Sequence, residues 1–539
     1  MVKKIIAAIL LFIFAILVIS SMRVHSGTAD EIAHHIPVGV ILWEKGDFKM
    51  DTSQPPLARY IMALPVILFL KPNLPADKAV WRIEDRSIFG KDFFFKYNQN
   101  SRQILFWARL AILLVGIFGA VVVFIWAKSL YGLNSGILAL FFYCFSVETI
   151  AHSGLATTDM TSACFILLSL YSFWRFLNKP SGLNLILAAI ALGLAQLSKY
   201  TAVILYLFYA VFIFTRRKEG VTLRILGLFL LSLVVVWAGY GFSFTPLLKY
   251  TLRSQEKLEL ITAALVGLQG ITHSRLEYLL FNLSVPLGEH LLGVLGVARH
   301  SHLGHGMFFL GEYSSFGSKI YFAVSLFIKT QIPLLIFFLM GLRSGSKDKF
   351  VKKTTIYIAC AIAVFFIAAS FSKLKLGHRY ILMIYPLIFI IAGKSAEWFK
   401  VKGLRLWLII TLAWYALAAI LVWPNYLSYF NEFIGGPDNG WKYLRDSNID
   451  WGQNLPQLAG YIRDHNIQEV TLEYFGQDEP SIYGITYRKF EKEEYNYPKN
   501  KIYAISVNHL EGVEWAKNTK PTSKAGYSIF IYDLRKKNK

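Results

Sequence analysis

The sequence predicts a polytopic α-helical membrane protein of about 11 transmembrane helices, followed by a small C-terminal α/β domain. Of its 539 residues, 55% are hydrophobic and only 17% are charged. The mean hydropathy is +0.45, and long apolar runs recur from residue 5 to residue 423. Soluble globular proteins do not carry such runs, and disordered chains lack this apolar and aromatic content. The length accommodates a multi-helix membrane domain and one soluble domain.

A spanning helix needs about 20 apolar residues, and somewhat fewer when it is buried among neighbours. Eleven segments meet this condition: 5–19, 104–126, 136–150, 161–177, 183–197, 202–214, 225–244, 320–342, 356–371, 380–392 and 406–423. The apolar stretch 57–70 contains a proline and follows two others, so it is predicted to be an interfacial or re-entrant helix.

Lys and Arg number 56 against 34 Asp and Glu, which gives a formal net charge of +22. A nucleic-acid partner is not expected, because nucleic-acid binders carry such charge on a soluble, polar surface. The excess is instead predicted to mark cytoplasmic loops, which are rich in Lys and Arg. Basic residues then alternate correctly along the chain, in the short inner loops around Lys128, Lys179, 216–218, 343–353 and 394–402.

This charge pattern places the N-terminus in the cytoplasm and the C-terminal domain outside, in an inner or plasma membrane. Three segments on the outer side are long: 22–103, 245–319 and everything after residue 423. All twelve histidines fall on or near that side. The three cysteines lie in apolar runs, so neither a disulfide nor a Cys-rich zinc site is expected.

The composition changes at residue 424 to that of a soluble domain. Residues 455–465 have helical spacing, whereas 469–475, 501–507 and 528–532 have the Ile, Val and Tyr content of short strands. The predicted domains are therefore a membrane domain, 1–423, and an extracytoplasmic α/β domain, 424–539.

The first outer segment begins with a carboxylate pair, Asp30 and Glu31, directly after the first helix. Burial and the neighbouring like charge are expected to raise the pKa of one of the two, which suits a general base. The alternative is a solvated pair that marks the membrane boundary. A Gly-Asp at Asp47 and a Gln-Pro-Pro-Leu beginning at Gln54 follow.

This ordered set resembles the GT-C glycosyltransferases, in particular the protein O-mannosyltransferase and aminoarabinose-transferase group. Further similar motifs follow in chain order, namely HSGLATTDM containing Asp159, QLSKY containing Lys199, HLGHGMFFLG before Lys329, SKLKLGHRY containing Arg379, and the segment 429–453. The resemblance implies a GT-C-like membrane fold and transfer of a sugar from a polyprenyl-phosphate donor to an acceptor hydroxyl.

The resemblance also implies roles for individual residues. Asp30 is the candidate base, and Glu31 or Asp159 assists orientation or metal binding. A departing phosphate needs preorganised cations, which Lys199, Lys329 and Arg379 are expected to supply. The alternatives are that Lys199 caps a helix or reaches toward headgroups and that Arg379 is a structural ion-pair partner.

Two histidines, His305 and His378, are candidate ligands of a divalent metal or candidate acceptor contacts, since neutral imidazole is a good ligand. The more common situation for closely spaced histidines is a solvated loop. The aminoarabinose transferases carry a Glu just before their Lys-Pro-Pro, whereas this chain has Gln54, which places a metal site in doubt.

Four residues are candidate contacts of the acceptor or the sugar: Asp47, Gln54, Asp450 and Trp451. An indole face stacks on sugar rings, which favours Trp451. A turn motif with a packed Trp explains the last two equally well.

The predicted function is therefore an inverting hexosyl or pentosyl transferase with a polyprenyl-phosphate-linked donor and a lipid, glycan or protein acceptor. A multi-span transporter or lipid flippase is the alternative, although such carriers usually show paired repeats and this sequence shows none. A third hypothesis is a non-catalytic scaffold whose outer domain binds a partner. The sequence contains no P-loop, HExxH motif or nucleophile elbow.

Overall fold

The structure is a computed structural model that describes residues 2–48, 50–76, 86–215, 221–246, 282–315 and 317–535. The inner-loop cations predicted at 216–218 and most of the second long outer loop, 247–281, lie outside the described residues. The described part of the chain is mainly helical, with one small sheet domain at its C-terminal end.

Seven described helices are long and apolar enough to cross a membrane: Val2–Met22, Ser101–Tyr131, Thr158–Asn178, Thr222–Gly239, Lys349–Phe371, His378–Lys400 and Lys402–Leu421. Two further spans are bent pairs. Leu133–Cys144 and Val147–Ser153 meet at 62°, and Tyr321–Lys329 and Ile332–Arg343 meet at 108°.

The predicted count of about 11 therefore becomes seven, or nine if each bent pair is one span. The other two predicted spans are present as apolar helices that are shorter, Gly182–Ser198 and Tyr200–Val211. Every predicted segment is thus helical over most of its length. The difference arises because a bend does not change hydropathy, so the sequence does not show it, and because two short segments, 183–197 and 202–214, were counted as spans.

The first loop folds into short helices that pack against one another at one end of the bundle: Glu31–His35, Ile36–Lys45, Leu57–Leu70, Arg86–Lys91 and Asp92–Tyr97. Ile36–Lys45 crosses Leu57–Leu70 very closely, since a Cβ on Gly39 would lie 2.5 Å from the Arg59 carbonyl oxygen. Leu57–Leu70 leaves three large apolar side chains exposed, Leu64, Leu68 and Phe69, as expected for an interfacial helix.

The C-terminal domain contains a five-stranded mixed sheet. Two small antiparallel pairs precede it in the chain, β1 (Phe244–Pro246) with β2 (Ser284–Pro286) and β3 (Met307–Phe309) with β4 (Glu312–Ser314). The strands of the sheet are β5 (Val470–Glu473), β6 (Tyr487–Arg488), β7 (Ile502–Ser506), β8 (Ser523–Ala525) and β9 (Ile529–Asp533). Their order across the sheet is β6-β5-β7-β9-β8. The predicted helix and three strands are found, and β6 and β8 are additional.

Strand β7 is buried on both faces. Ile502 and Ala504 pack with the helix Leu455–Asp464, whereas Tyr503 and Ile505 belong to the large core that continues into the helix bundle. Alternate residues of a strand face opposite sides. One side of the sheet is therefore covered by its own helix and the other by residues of the larger core.

Residues 424–454, here called the connecting segment, run between the last spanning helix and the sheet domain. The segment lies against the first loop, where Ser26 N donates to Gln453 O at 3.0 Å and Ala29 N donates to Trp451 O at 2.9 Å. We call this end of the bundle, which carries the first loop and the C-terminal domain, the loop face.

Candidate active site

Four side chains from distant parts of the sequence meet at the loop face. We call them the central cluster: Asp30, Asp159, Lys199 and Arg379. Lys199 Nζ donates to Asp159 Oδ1 at 2.6 Å. Arg379 Nη1 lies 3.1 Å from Asp30 Oδ2 and 3.6 Å from Asp159 Oδ2. The structure thus brings into contact four of the six residues to which the sequence assigned base and phosphate roles.

Helix ends place two members of the cluster. Asp159 lies in the first turn of Thr158–Asn178, and Lys199 directly follows the last residue of Gly182–Ser198. A carboxylate at a helix N-terminus and a cation at a C-terminus are both favoured by the helix dipole. Each side chain is therefore stabilised by its own helix, as well as by the ion pair between them.

A tight turn places Arg379. Arg379 comes two residues after Gly377, whose φ of 139° favours glycine. A Cβ added to Gly377 would lie 2.4 Å from Ser447 Oγ. The connecting segment therefore packs directly against the turn that carries Arg379. Ser447 Oγ also donates to the Leu376 carbonyl at 2.5 Å, which fixes the turn to the segment.

Trp451 of the connecting segment lies against the cluster. The Arg379 guanidinium carbon is 4.0 Å from the centre of its ring, a close cation–π contact. The Trp451 carbonyl accepts the Ala29 N–H, next to Asp30 in the chain. One face of the indole is thus occupied by Arg379, so the predicted stacking on a sugar is not available at that face.

Asp30 is the most accessible carboxylate of the cluster, with 25% of its side chain exposed against 1% for Asp159. Burial alone would raise the pKa of Asp30, but Arg379, His35 and His34 outweigh it and lower that pKa below its ordinary value. The predicted raised pKa in the Asp30–Glu31 pair is therefore wrong, because each carboxylate has a cation beside it.

Glu31 is fully buried. Its two oxygens accept from Arg109 Nε and Nη2 at 2.8 and 2.7 Å, from the Ala156 N–H at 2.7 Å and from the Thr28 N–H at 2.8 Å. Burial opposes ionisation, yet Arg109 and these N–H groups keep the pKa of Glu31 below its ordinary value. The carboxylate is thus occupied by donors from the protein itself, and the catalytic role assigned to Glu31 stays a prediction.

Lys329 does not join the central cluster. It ends the helix Tyr321–Lys329 at the 108° bend, and only 1% of its side chain is exposed. Its Nζ donates to the carbonyls of Leu427 and Asn448, both at 2.8 Å, and lies 3.4 Å from Glu148 Oε1. These donors tie the connecting segment to the bent helix, and the assignment of Lys329 to a donor phosphate stays a prediction.

The two histidines proposed for a metal do not form a site in the described part of the chain. His378 is buried, and its ring nitrogens lie 2.9 Å from Ser325 Oγ and 2.6 Å from Tyr385 Oη. His305 is exposed and packs beside His300. No group of three or more His, Cys, Asp or Glu among the described residues is arranged to hold a metal ion, and a divalent metal stays a prediction.

The other three residues predicted to contact the acceptor or the sugar, Asp450, Asp47 and Gln54, are not members of the central cluster. Asp450, in the connecting segment, is fully buried against the sheet domain, where it accepts from the Gly452 N–H at 2.9 Å and from the Ser506 hydroxyl. Burial raises the pKa of Asp450 to about 6. Asp47 is half-buried at the end of the helix Ile36–Lys45, and Gln54 lines a cavity in the first loop.

Sequence reasoning missed a second ion cluster in the first loop. Asp51 is fully buried; Arg86 Nη1 lies 2.5 Å from its Oδ1, Arg59 pairs with its Oδ2, and His34 Nδ1 is 3.7 Å away. Burial opposes ionisation, but Arg59, His34 and Arg86 hold the pKa of Asp51 well below its ordinary value. This cluster fixes the shape of the loop that leads from Asp30.

The sequence does contain a signal that buried ion pairs are present. Arg59, Arg109 and Glu148 each interrupt an apolar run, and a buried charge is costly unless it is paired. The runs therefore indicate that partners are needed. The sequence does not say which partner each charge meets, because Arg109 pairs with a residue 78 positions away.

These features were compared with known proteins. The family described as dolichyl-phosphate-mannose-protein mannosyltransferase matches residues 100–240, about a quarter of the chain. That range contains Asp159 and Lys199. No curated protein matches the sequence significantly.

Solved structures of membrane glycosyltransferases are similar over most of the chain. ArnT from Cupriavidus metallidurans bound to undecaprenyl phosphate aligns over 97% of both chains, with a TM-score of 0.50 and 10% identity. The same protein in the apo state gives 0.48 at 12% identity. The Archaeoglobus fulgidus oligosaccharyltransferase in the apo form covers 95% of this chain and 70% of its own, with a TM-score of 0.45 and 12% identity.

The molecule is therefore an integral membrane protein with the GT-C glycosyltransferase fold. The likeness to undecaprenyl-phosphate-bound ArnT over the whole length supports the fold, including the small sheet domain after the last span. The match to the mannosyltransferase family over residues 100–240 agrees with it.

Proposed function

We propose that the protein is an inverting glycosyltransferase that moves a sugar from a polyprenyl-phosphate-linked donor to an acceptor hydroxyl. The observation that carries the proposal is the central cluster, in which one accessible carboxylate, Asp30, shares a guanidinium with a buried carboxylate–lysine pair. The bound undecaprenyl phosphate of the similar ArnT structure supports a lipid-linked donor of this kind.

The cations of the cluster suit a departing phosphate. Glycosyl transfer from such a donor breaks the bond between the anomeric carbon and a phosphate oxygen, and the phosphate leaves as an anion. Preorganised charges where the anion forms lower the barrier. Arg379 presents a planar fork, and its Nε is buried without a hydrogen-bond partner among the described residues; Lys199 presents a point charge beside it.

The acceptor hydroxyl must lose its proton as its oxygen attacks the anomeric carbon. Asp30 is the candidate base, since Glu31 and Asp159 are already saturated by Arg109 and Lys199. With one accessible carboxylate in the central cluster, no second carboxylate of that cluster is placed to act as a nucleophile. A single displacement follows, and a single displacement inverts the anomeric centre.

Arg379 links the two roles. In the structure it neutralises Asp30, which keeps the pKa of that carboxyl low and makes it a weak base. When a donor phosphate attracts Arg379, Asp30 loses part of this neutralisation and its pKa rises toward its ordinary value or above it. The donor therefore strengthens the base that its own transfer needs.

The experiment compares Asp30→Asn with Asp92→Asn in cells that carry each variant in place of the native chain. Asp92 is a matched control, because 24% of its side chain is exposed and it pairs with Lys96 at 3.5 Å. Mass spectrometry of polyprenyl-phosphate sugars is expected to show one lipid-linked sugar accumulating with Asp30→Asn alone. An unchanged lipid pool and unchanged surface glycans, with the variant correctly inserted, would refute the proposal.

A transporter or flippase is the second candidate, because one observation favours it. Carriers often place ionisable groups at breaks in spanning helices, and the buried pair Glu148–Lys329 lies where both bent pairs break. Lipid movement without chemistry predicts that Asp30→Asn leaves the lipid pool unaltered. The same measurement thus separates the two candidates.

A further inference from the structure

The indole of Trp451 is enclosed at the edge of the central cluster. Only 2% of the residue is exposed, and the Arg379 guanidinium carbon lies over its ring, 4.0 Å from the ring centre. A ring so enclosed offers little surface to a sugar. Any effect of Trp451 on the site must therefore pass through the arginine that covers it.

The ion pairs of Arg379 fix the place of its charge but not the plane of its guanidinium. One nitrogen, Nη1, approaches both carboxylates, at 3.1 Å from Asp30 and 3.6 Å from Asp159. Contacts through one nitrogen constrain that atom and leave the orientation of the other two nitrogens open. An arginine binds phosphate through a planar fork of N–H groups. Its orientation therefore decides whether the fork meets the phosphate.

The indole supplies the missing constraint. A ring within about 6 Å attracts a guanidinium, and the Trp451 ring, at 4.0 Å, lies closer to Arg379 than the Tyr380 ring, at 5.6 Å. A ring in contact with a flat group blocks the rotation of that group out of its plane. Arg379 Nε is buried and has no hydrogen-bond partner among the described residues. The indole thus holds in place a fork that still has an N–H to donate.

Hydrogen bonds from two sides of the loop face hold Trp451. Its carbonyl accepts the N–H of Ala29, in the first loop, at 2.9 Å. The preceding residue, Asp450, is bound to the sheet domain: its carboxylate accepts from the Ser506 hydroxyl, and its carbonyl accepts from Asn508 Nδ2 at 3.0 Å. The position of the indole is therefore set by the first loop and the sheet domain, independently of the arginine that it supports.

The contact with Trp451 does not depend on the ion pair with Asp30. When a phosphate draws Arg379 away from Asp30, the 3.1 Å pair is broken, and the indole still lies against the guanidinium. A group that is oriented beforehand loses less conformational freedom on binding and so binds more tightly. The ring therefore lets the cation exchange a carboxylate for a phosphate without losing its orientation.

We propose that Trp451 is a positioning residue, which holds the Arg379 guanidinium so that its open Nε–H faces the phosphate of the donor. The inference rests on the proposed function, because it takes a phosphate as the ligand of Arg379. In this role Trp451 needs no contact with a sugar. The C-terminal domain gains a part in phosphate binding, since it holds Asp450, the residue before Trp451.

The test measures binding of farnesyl phosphate, a short analogue of the donor lipid, to the purified full-length protein in detergent by isothermal titration calorimetry. Farnesol is the neutral comparison, since it has the same chain without the phosphate. Trp451→Leu removes the aromatic face and is expected to weaken farnesyl phosphate binding about tenfold, whereas Trp451→Phe keeps a ring and is expected to weaken it by about threefold or less. Trp451→Met, a second non-aromatic replacement, is expected to match Trp451→Leu. Farnesol binding is expected to be unchanged, which shows that the variants are folded.

Trp441→Leu is the matched control. Trp441 lies in the same connecting segment, and the Arg445 guanidinium carbon is 5.7 Å from its ring centre. Arg445 pairs at 3.0 Å with Glu511, which is not a member of the central cluster. This variant is expected to bind farnesyl phosphate as the native protein does. The Tm of every variant is measured as well, because a purely structural role predicts losses that follow the Tm and affect farnesol equally.

Arg379→Gln tests whether Trp451 acts through the arginine. It is expected to weaken farnesyl phosphate binding at least as much as Trp451→Leu does, and adding Trp451→Leu to it is expected to cause no further loss. The positioning role is overturned if Trp451→Leu binds farnesyl phosphate as the native protein does, if it weakens farnesol equally, or if its effect is undiminished in the Arg379→Gln protein. Should Arg379→Gln alone leave binding unchanged, the phosphate role of Arg379 is refuted and the positioning role with it. None of these measurements requires Asp30, so failure of the transferase proposal is recorded separately by Asp30→Asn.

Discussion

Replacing Lys329 with methionine tests whether this buried lysine anchors the fold or binds a substrate phosphate. The sequence resemblance implies that Lys329 binds the donor phosphate, whereas in the structure its Nζ contacts Glu148 and two backbone carbonyls. Methionine keeps much of the side-chain volume and removes the charge. A structural anchor predicts lost stability, and a phosphate ligand predicts lost donor affinity with stability retained.

The magnitude follows from the contacts. Lys329 and Glu148 have 1% and 2% of their side chains exposed, and removing one partner of a buried ion pair costs roughly 3–5 kcal/mol because the other charge is left unpaired. The two 2.8 Å hydrogen bonds to carbonyls are lost in the same step and are not additive with this cost. At roughly 2–4 °C per kcal/mol, the apparent Tm is expected to fall by on the order of 10 °C.

The assay is thermal unfolding in detergent together with farnesyl phosphate binding. Lys375→Met is the matched control: Lys375 Nζ also donates to two carbonyls, those of Ala369 and Ser370, but faces no buried carboxylate partner among the described residues. Lys329→Met is expected to lose more stability than this control, and adding Glu148→Gln is expected to restore part of the loss. An unchanged Tm with weakened farnesyl phosphate binding would refute the structural reasoning.

Three further outcomes are expected. Glu31→Gln leaves the buried Arg109 without its carboxylate and is expected to lower stability by roughly 3–5 kcal/mol, measured as a fall in Tm; a loss of transfer at native stability would instead make Glu31 catalytic. Because Arg379 lowers the pKa of Asp30 in the free protein, the acid limb of kcat/KM should lie at lower pH than that of kcat, where phosphate has taken the guanidinium; coincident limbs would contradict the link between them. Burial raises the pKa of Asp450 to about 6 from an ordinary 3.8, so its ionisation lowers stability as pH rises through that interval. Asp450→Asn should then gain in Tm over the native protein between pH 4 and pH 6, and a pH-independent difference would show that Asp450 ionises without cost.

The distribution of the basic residues between the two domains can be read from the sequence alone. From residue 424 onward the chain has fifteen basic and fifteen acidic residues, so the net charge of +22 belongs entirely to the membrane domain. That agrees with an orientation signal in short loops. The central cluster contains two cations, Lys199 and Arg379. Three other buried cations, Lys329, Arg59 and Arg109, each pair with a carboxylate elsewhere in the fold.

Some of the candidate site followed from motifs alone. Asp30, Asp159, Lys199 and Arg379 stand at helix ends or in turns on one predicted side of the membrane, and alternating spans place such ends at one face whatever the details of packing. Their placement on one face is therefore a consequence of topology, whereas the contacts between them depend on packing. Glu31 could not be placed in this way. Its neighbour Asp30 is accessible, whereas Glu31 is buried and paired with Arg109, which lies 78 positions away in the chain.

The sequence by itself determined the class of fold, the segments that form helices, and the soluble domain with its helix and three of its strands. These depend on local apolar runs and periodicity, which hydropathy records directly. Only the tertiary structure decided which buried charges pair, that Trp451 packs on Arg379, and that Lys329 ties the connecting segment to a bent helix. Such pairings join residues far apart in the chain, and a buried charge is satisfied by whichever partner the packing brings within a few ångströms.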